Sequence, residues 1–199
     1  MSLTPRQTLG FRLSLSLTVA RGLMALPLAE IALTRGSARA VAAILVLGLL
    51  SDYYDGVIAR HFDVATAGLR RLDSATDTLF FAAVAVCVWR LHPNAITGNR
   101  WLLSIVVGTL LLNHVVELVK FGKEAAYHAW SAKAWGLALF VALTVLFATD
   151  NARLIPIALA VGVISHLENL CITLALPRWQ HDVRSLRYAL ALRRSTPAE

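Results

Sequence analysis

Asp52, Asp55, Asp73 and Asp77 are the residues of this chain best suited to chemistry. Asp52 and Asp55 stand at i, i+3, and Asp73 and Asp77 at i, i+4. On a helix either spacing turns both carboxylates to one face. Gly56 and Ala59 continue the face of the first pair, which leaves it acidic and nearly free of side-chain bulk, so another backbone or a large ligand can come close. Four carboxylates facing one another repel unless cations sit among them. Hard oxygen donors in this number suit Mg²⁺, Mn²⁺ or Ca²⁺, and two such ions between two carboxylate pairs would make a clamp for phosphoryl chemistry. The plainer reading makes the aspartates helix-end groups paired with Arg60, Arg70 and Arg71. It covers Asp73, because acidic residues favour helix N-termini, but not Asp52 and Asp55, which fall in the last turns of an expected helix where the dipole opposes them.

The elements that must position these residues are membrane spans. The chain has 199 residues, 57% of them hydrophobic, with a mean hydropathy of +0.63, and its apolar residues come in blocks of about 20, the length that crosses a bilayer. The expected fold class is all-α: a polytopic membrane protein with six transmembrane helices and short amphipathic surface helices, forming one domain over residues 1–199 with a basic tail from about 178. The expected spans cover residues 11–33, 40–59, 73–91, 101–121, 131–149 and 153–176. Pro5 is placed to start a short interfacial helix, Pro27 to kink the first span, and Pro156 to break or bend the sixth. The first apolar block is too long for a signal-peptide core and is read as a retained helix. Cys87 and Cys171 both fall inside spans, which disfavours a disulfide.

The formal net charge of +7 does not point to nucleic acid, because the basic residues cluster beside apolar blocks. Attraction to anionic lipid is the simpler account. Arg6, Arg12, Arg60, Arg70, Arg71, Lys120, Lys123, Lys133, Arg178, Arg184, Arg187, Arg193 and Arg194 fall on one side of six spans, and Arg35, Arg39, Arg90, Arg100 and Arg153 on the other. The positive-inside rule then puts both termini and the aspartate cluster in the cytoplasm. In the tail, Val183, Leu186 and Leu190 share a helical face beside Arg184 and Arg187, a segment that either lies on the membrane surface or is solvated.

Other polar groups lie within apolar blocks. Asn113, His114 and Glu117, and Ser165, His166, Glu168 and Asn169, carry no metal-ligand spacing, so interhelical hydrogen bonding is the leading reading, with the alternative that Asn113–Glu117 lines a ligand pocket. Arg21 stands well inside the first span, where a charge is costly unless it works. Lys120, Lys123, His128 and Lys133 surround the fourth connection, either as a positive-inside loop or as a cradle for an anionic ligand.

Asp52, Asp55, Gly56, Ala59, Arg60, Asp73 and Asp77 match the pattern D-x2-D-G-x2-A-R-x8-G-x3-D-x3-D in type and spacing, and in this stretch the chain resembles the CDP-alcohol phosphatidyltransferases. One position departs: the family's second glycine falls on Leu69, with Gly68 one residue early and expected to supply the backbone freedom instead. Thr18 and Arg21 are similar to the family's T-x2-R in its first helix, with Leu15 where an asparagine is usual. The resemblance implies a six-helix core with its site at the cytosolic face of a bacterial-type inner (plasma) membrane, commonly as a homodimer. It implies transfer of a phosphatidyl group from CDP-diacylglycerol to the hydroxyl of a small polar or phosphorylated alcohol with release of CMP, as in the phosphatidylglycerophosphate synthase-like or phosphatidylinositol phosphate synthase-like members. Two divalent ions, Mg²⁺ or Mn²⁺, would be held by Asp52, Asp55, Asp73 and Asp77, with Asp77 also the catalytic base. Asp52, Gly56, Ala59, Arg60, Gly68 and Asp73 would lie against the nucleotide. Arg21, Arg70, Arg71, Lys120, Lys123 and Lys133 would meet the acceptor. Two alternatives stand beside this. One moves a phospho-headgroup from a CDP-alcohol to diacylglycerol, though relatives that do so are longer chains. The other is a non-enzymatic metal or ion transporter, which would be expected to hold its ligands near the bilayer midplane.

Overall fold

The computed structural model describes residues 4–64, 66–123, 127 and 129–195. His128 of the expected basic connection lies outside them. Among the described residues the structure is helical with no strand, and six helices are long and apolar enough to cross a membrane: Pro5–Thr34, Ala38–His61, Gly68–Leu91, Arg100–Phe121, Trp130–Thr149 and Ala152–Ala175. Their outward faces are apolar, with Leu33, Trp101 and Val119 among the most exposed large side chains. A face of this kind is stable only in lipid or under a partner, and the chain is an integral membrane protein.

The chain forms two compact units, one reaching to Asn94 and including Phe147–Asp150, the other comprising Ala95–Leu146 and the chain from Asn151 onward. In the first, helix α1 (Pro5–Leu23) begins with a capping box, in which Gln7 N–H donates to Thr4 Oγ1 at 3.3 Å while Thr4 N–H donates to Gln7 Oε1 at 3.1 Å. Nothing interrupts the helix from there to Leu23, so the interfacial segment expected at Pro5 is simply the first turns of α1. The break comes at Met24, because Pro27 has no N–H to donate to the Leu23 carbonyl, and α2 (Ala25–Thr34) completes the kinked span. Helix α3 (Ala38–His61) carries Asp52 and Asp55. Helix α4 (Ala67–Leu91) starts at Ala67 rather than Asp73, because Thr66 Oγ1 caps it by accepting from Leu69 N–H at 3.2 Å. Asp73 is therefore inside the helix and not a helix-end group.

Small residues set the helix spacing. A Cβ on Gly22 would come within 2.9 Å of Thr76 Cγ2, and one on Gly48 within 2.5 Å of the Phe80 ring. Each glycine thus lets α4 approach, α1 at one point and α3 at the other. Leu28, Val41, Leu45, Val84 and Cys87 fill the core. Both cysteines are free, as expected, and Cys87 Sγ donates to the Leu28 carbonyl at 3.2 Å.

The second unit begins within the short α5 (Pro93–Thr97) and holds α6 (Arg100–Phe121), most of α7 (Trp130–Thr149), the 3₁₀ turn Ala152–Leu154, α8 (Ile155–Ala175) and α9 (Leu186–Ser195). Gly122 ends α6 in the left-handed conformation, φ 68°, where a glycine costs least. Pro156 starts α8 instead of bending it, since a first-turn N–H has no helical partner to lose. Two of the buried polar groups, Asn113 and His166, tie α6 to α8. Asn113 Nδ2 donates to the His166 carbonyl at 2.9 Å, and Thr109 Oγ1 lies 3.0 Å from His166 Nδ1. Glu168 Oε1 accepts from Leu186 N–H at 3.1 Å, holding the start of α9. That helix buries Ala189 against Ile172, Leu176 and Val183 and leaves Leu190 exposed. The expected Val183–Leu186–Leu190 face does not form, because Val183 precedes the helix and belongs to the core.

Candidate active site

The carboxylates of α3 and α4 converge on one side chain of α1. Arg21 is 1% exposed. Its Nη1 lies 2.6 Å from Asp52 Oδ1, its Nη2 lies 3.2 Å from Asp55 Oδ2 and also contacts Asp73 Oδ1, and its Nε lies 2.8 Å from Asp77 Oδ1. The last is a charge contact without hydrogen-bond alignment. Asp55 is buried, while the Asp52, Asp73 and Asp77 side chains remain partly exposed. Helix α1 turns a polar stripe to α3: Ser14 Oγ donates to the Asp55 carbonyl at 3.2 Å, and the Thr18 hydroxyl stands 3.1 Å from Asp55 Oδ2 and 3.0 Å from the Ser14 carbonyl. Thr18 and Arg21 were visible as a sequence pair. Ser14 was not, since a lone serine one turn earlier in a span gives no signal of its own.

Beside the carboxylates is a cavity of about 310 Å³ lined by Ser14, Thr18, Asp55, Gly56, Ala59, Arg60, Leu69, Arg70 and Asp73. Gly56 and Ala59 supply its low wall. The Arg60 guanidinium folds back over Gly56, with Nη1 only 3.3 Å from where a Cβ would stand, so any side chain at 56 would crowd it. Leu69 is buried against Ala59 and Val64 and forms part of the lining. Gly68 is not in the lining, and nothing lies within 4 Å of its Cβ direction. Arg70 lines the cavity, whereas Arg71 is exposed outside the lining.

The donor set fits a divalent cation. One carboxylate oxygen from each of Asp52, Asp55 and Asp73 lies within 4.8 Å of the others. Hard anionic oxygens at that spacing are what Mg²⁺ and Mn²⁺ prefer, and the Arg21 guanidinium places positive charge among them. Asp77 joins through Arg21 and stands outside that three-oxygen group.

The expected acceptor lysines belong to the second unit. Lys120 Nζ donates to the Thr173 and Leu174 carbonyls, both at 2.9 Å, which caps the end of α8. Lys123 Nζ sits 3.6 Å from the Trp179 ring centroid. Lys133 lies over the Trp130 ring at 4.8 Å and lines a cavity of about 520 Å³ with Trp130, Asp182 and Arg184. Lys133 thus faces a cavity, whereas Lys120 and Lys123 are engaged with carbonyls and a ring. Arg184 enters the picture from the tail because its carbonyl accepts from Trp130 N–H at 3.2 Å, a contact between distant segments that composition does not reveal. Tyr127 packs beside this region, accepts from Thr173 Oγ1 at 3.2 Å, and has its hydroxyl pushed above the usual phenol range by burial.

Fold and site together define an all-α integral membrane protein with an acidic, cation-centred site built by adjacent helices. A family model described as CDP-alcohol phosphatidyltransferase matches residues 12–174. The chain belongs to the CDP-alcohol phosphatidyltransferase family. It is a phosphotransferase, moving a phosphatidyl or phospho-headgroup from a CDP-alcohol, and the transporter alternative falls away. No curated protein and no solved structure gives a match to the chain.

Proposed function

We propose that this enzyme transfers a phosphatidyl group from CDP-diacylglycerol to the hydroxyl of a small, phosphate-bearing alcohol and releases CMP. The observation that carries the proposal is the convergence of Asp52, Asp55, Asp73 and Asp77 on one buried cationic centre beside a cavity with a low Gly56–Ala59 wall. Residues 1–199 act as one catalytic domain, with the site and both termini cytoplasmic in a bacterial-type inner membrane. The family's habit of pairing supports a homodimer.

In this reading the acceptor oxygen bonds to the lipid-side phosphorus, the bond from that phosphorus to the oxygen of CMP breaks, and the hydroxyl proton passes to Asp77. Asp77 suits the base role because it stands outside the three-oxygen group and is partly open. Asp52, Asp55 and Asp73 would hold the divalent ions, Mg²⁺ or Mn²⁺, with Asp77 sharing one. When bound, these supply counter-charge to a diphosphate. Gly56 and Ala59 leave room for the nucleotide, Leu69 forms part of the wall, and Arg60 and Arg70 answer the donor's phosphates. Lys133 and Arg184, on their shared cavity, are suited to the phosphate of the acceptor.

The test is labelled CDP-diacylglycerol incubated with glycerol 3-phosphate, an inositol phosphate, serine or a second lipid, in detergent with Mg²⁺ or Mn²⁺. A phosphorylated acceptor should be converted, and Lys133→Ala should raise its KM about tenfold, the loss of one charge-assisted contact, while the donor's KM stays put. Conversion of serine instead, or an unmoved acceptor KM, refutes the phosphate assignment. Product formed only from a CDP-alcohol plus diacylglycerol reverses the direction of transfer.

A further inference from the structure

We infer that Arg21 is a built-in counter-ion that competes with the divalent cation for the site carboxylates, so that metal loading displaces its guanidinium. The inference rests on reading Asp52, Asp55 and Asp73 as metal ligands. These three carboxylates are within metal-binding distance of one another and are also contacted by the Nη atoms of Arg21. A planar guanidinium carries five donors and no acceptor, and here it faces one oxygen on each of four aspartates from a position that is 1% exposed. A divalent cation drawn to the same carboxylates would meet a buried like charge among them, and the repulsion opposes joint occupancy in this geometry.

Each state is stable for its own reason. Without metal, removing Arg21 would leave four carboxylates on neighbouring helices with nothing between them. With metal, the cation takes over that neutralisation and the guanidinium becomes surplus. It has somewhere to go, because the Asp52, Asp73 and Asp77 side chains it contacts are themselves partly exposed, which leaves an open side to the cluster. Arg21 would therefore set the threshold of cation concentration at which the site loads, and would keep α1, α3 and α4 in register below that threshold.

The experiment titrates the full-length protein in detergent with Mn²⁺, reading free Mn²⁺ by electron paramagnetic resonance, for wild type and Arg21→Gln. Arg21→Gln should bind Mn²⁺ about tenfold more tightly, and should lose more thermal stability in EDTA than in Mn²⁺. Equal or weaker Mn²⁺ binding by Arg21→Gln overturns the inference while leaving the metal reading intact. No Mn²⁺ binding by either protein overturns both. If Arg21→Gln does not fold, phenylglyoxal labelling of the wild type decides by peptide mass spectrometry: Arg21 should be protected in EDTA and modified at saturating Mn²⁺, and protection in both conditions overturns the inference.

Discussion

Leu69 stands where the family's motif carries glycine, and it forms part of the cavity wall, packed with Ala59. The sequence pattern directed attention to Gly68 as the compensating residue. The structure moves the weight to Leu69, because Leu69 lines the cavity while Gly68 is not in its lining and meets open space. Leu69→Gly should enlarge the cavity and tighten CMP binding, at a stability cost of about 2 kcal/mol for the lost apolar burial. Gly68→Val should leave CMP affinity near wild type. Calorimetry with CMP checks both, and weaker binding by Leu69→Gly would mean that the leucine packs against the nucleotide instead of crowding it. The four aspartates were legible at this scale because a helical spacing of like charges in an apolar chain has few innocent explanations. The meeting of all four on Arg21 was not, since it depends on the rotation of α1 against two other helices, which no local pattern encodes.

At the scale of elements, α1 is the piece that completes the site. Its buried face reads Gly10, Ser14, Thr18, Arg21 and Gly22, a stripe of small and polar residues in a helix otherwise turned outward. Gly22 brings the backbone of α1 against Thr76 on α4, and so sets how far Arg21 stands from Asp73 and Asp77. Gly22→Val should wedge the helices apart, costing about 1–3 kcal/mol as an overpacked contact. Its melting temperature in detergent should fall while that of Gly68→Val, where the space is open, does not. Equal melting temperatures would show that the α1–α4 spacing is not set at Gly22. The spans themselves could be read from length and apolarity. Their ends could not, because Thr4 and Thr66 cap helices earlier than hydropathy alone would start them, and Pro156 begins a helix that its position in an apolar block suggested it would bend. Among the polar residues of α6 and α8, Asn113 and His166 prove to be interhelical hydrogen-bonding groups, as expected of such groups in lipid, while Glu168 bonds to the start of α9.

At the scale of the whole molecule, a net charge of +7 accompanies six apolar spans, and the acidic residues that break this pattern most sharply are those of α3 and α4. In the proposed reaction the donor keeps its tails in lipid while its diphosphate meets water, which calls for charged chemistry at the ends of spans, and the Asp52–Asp77 stretch would supply it. The central claim is that these carboxylates, with Asp77 as the base, drive phosphatidyl transfer. It is tested most directly by measuring CMP release from CDP-diacylglycerol, in detergent with acceptor and Mn²⁺ or Mg²⁺, for wild type and Asp77→Asn. The account predicts release that depends on the divalent cation and falls at least about a hundredfold in Asp77→Asn, the usual scale of a general base, with CDP-diacylglycerol binding little changed. CMP release at near wild-type rates from Asp77→Asn, or undiminished release in EDTA, would contradict it.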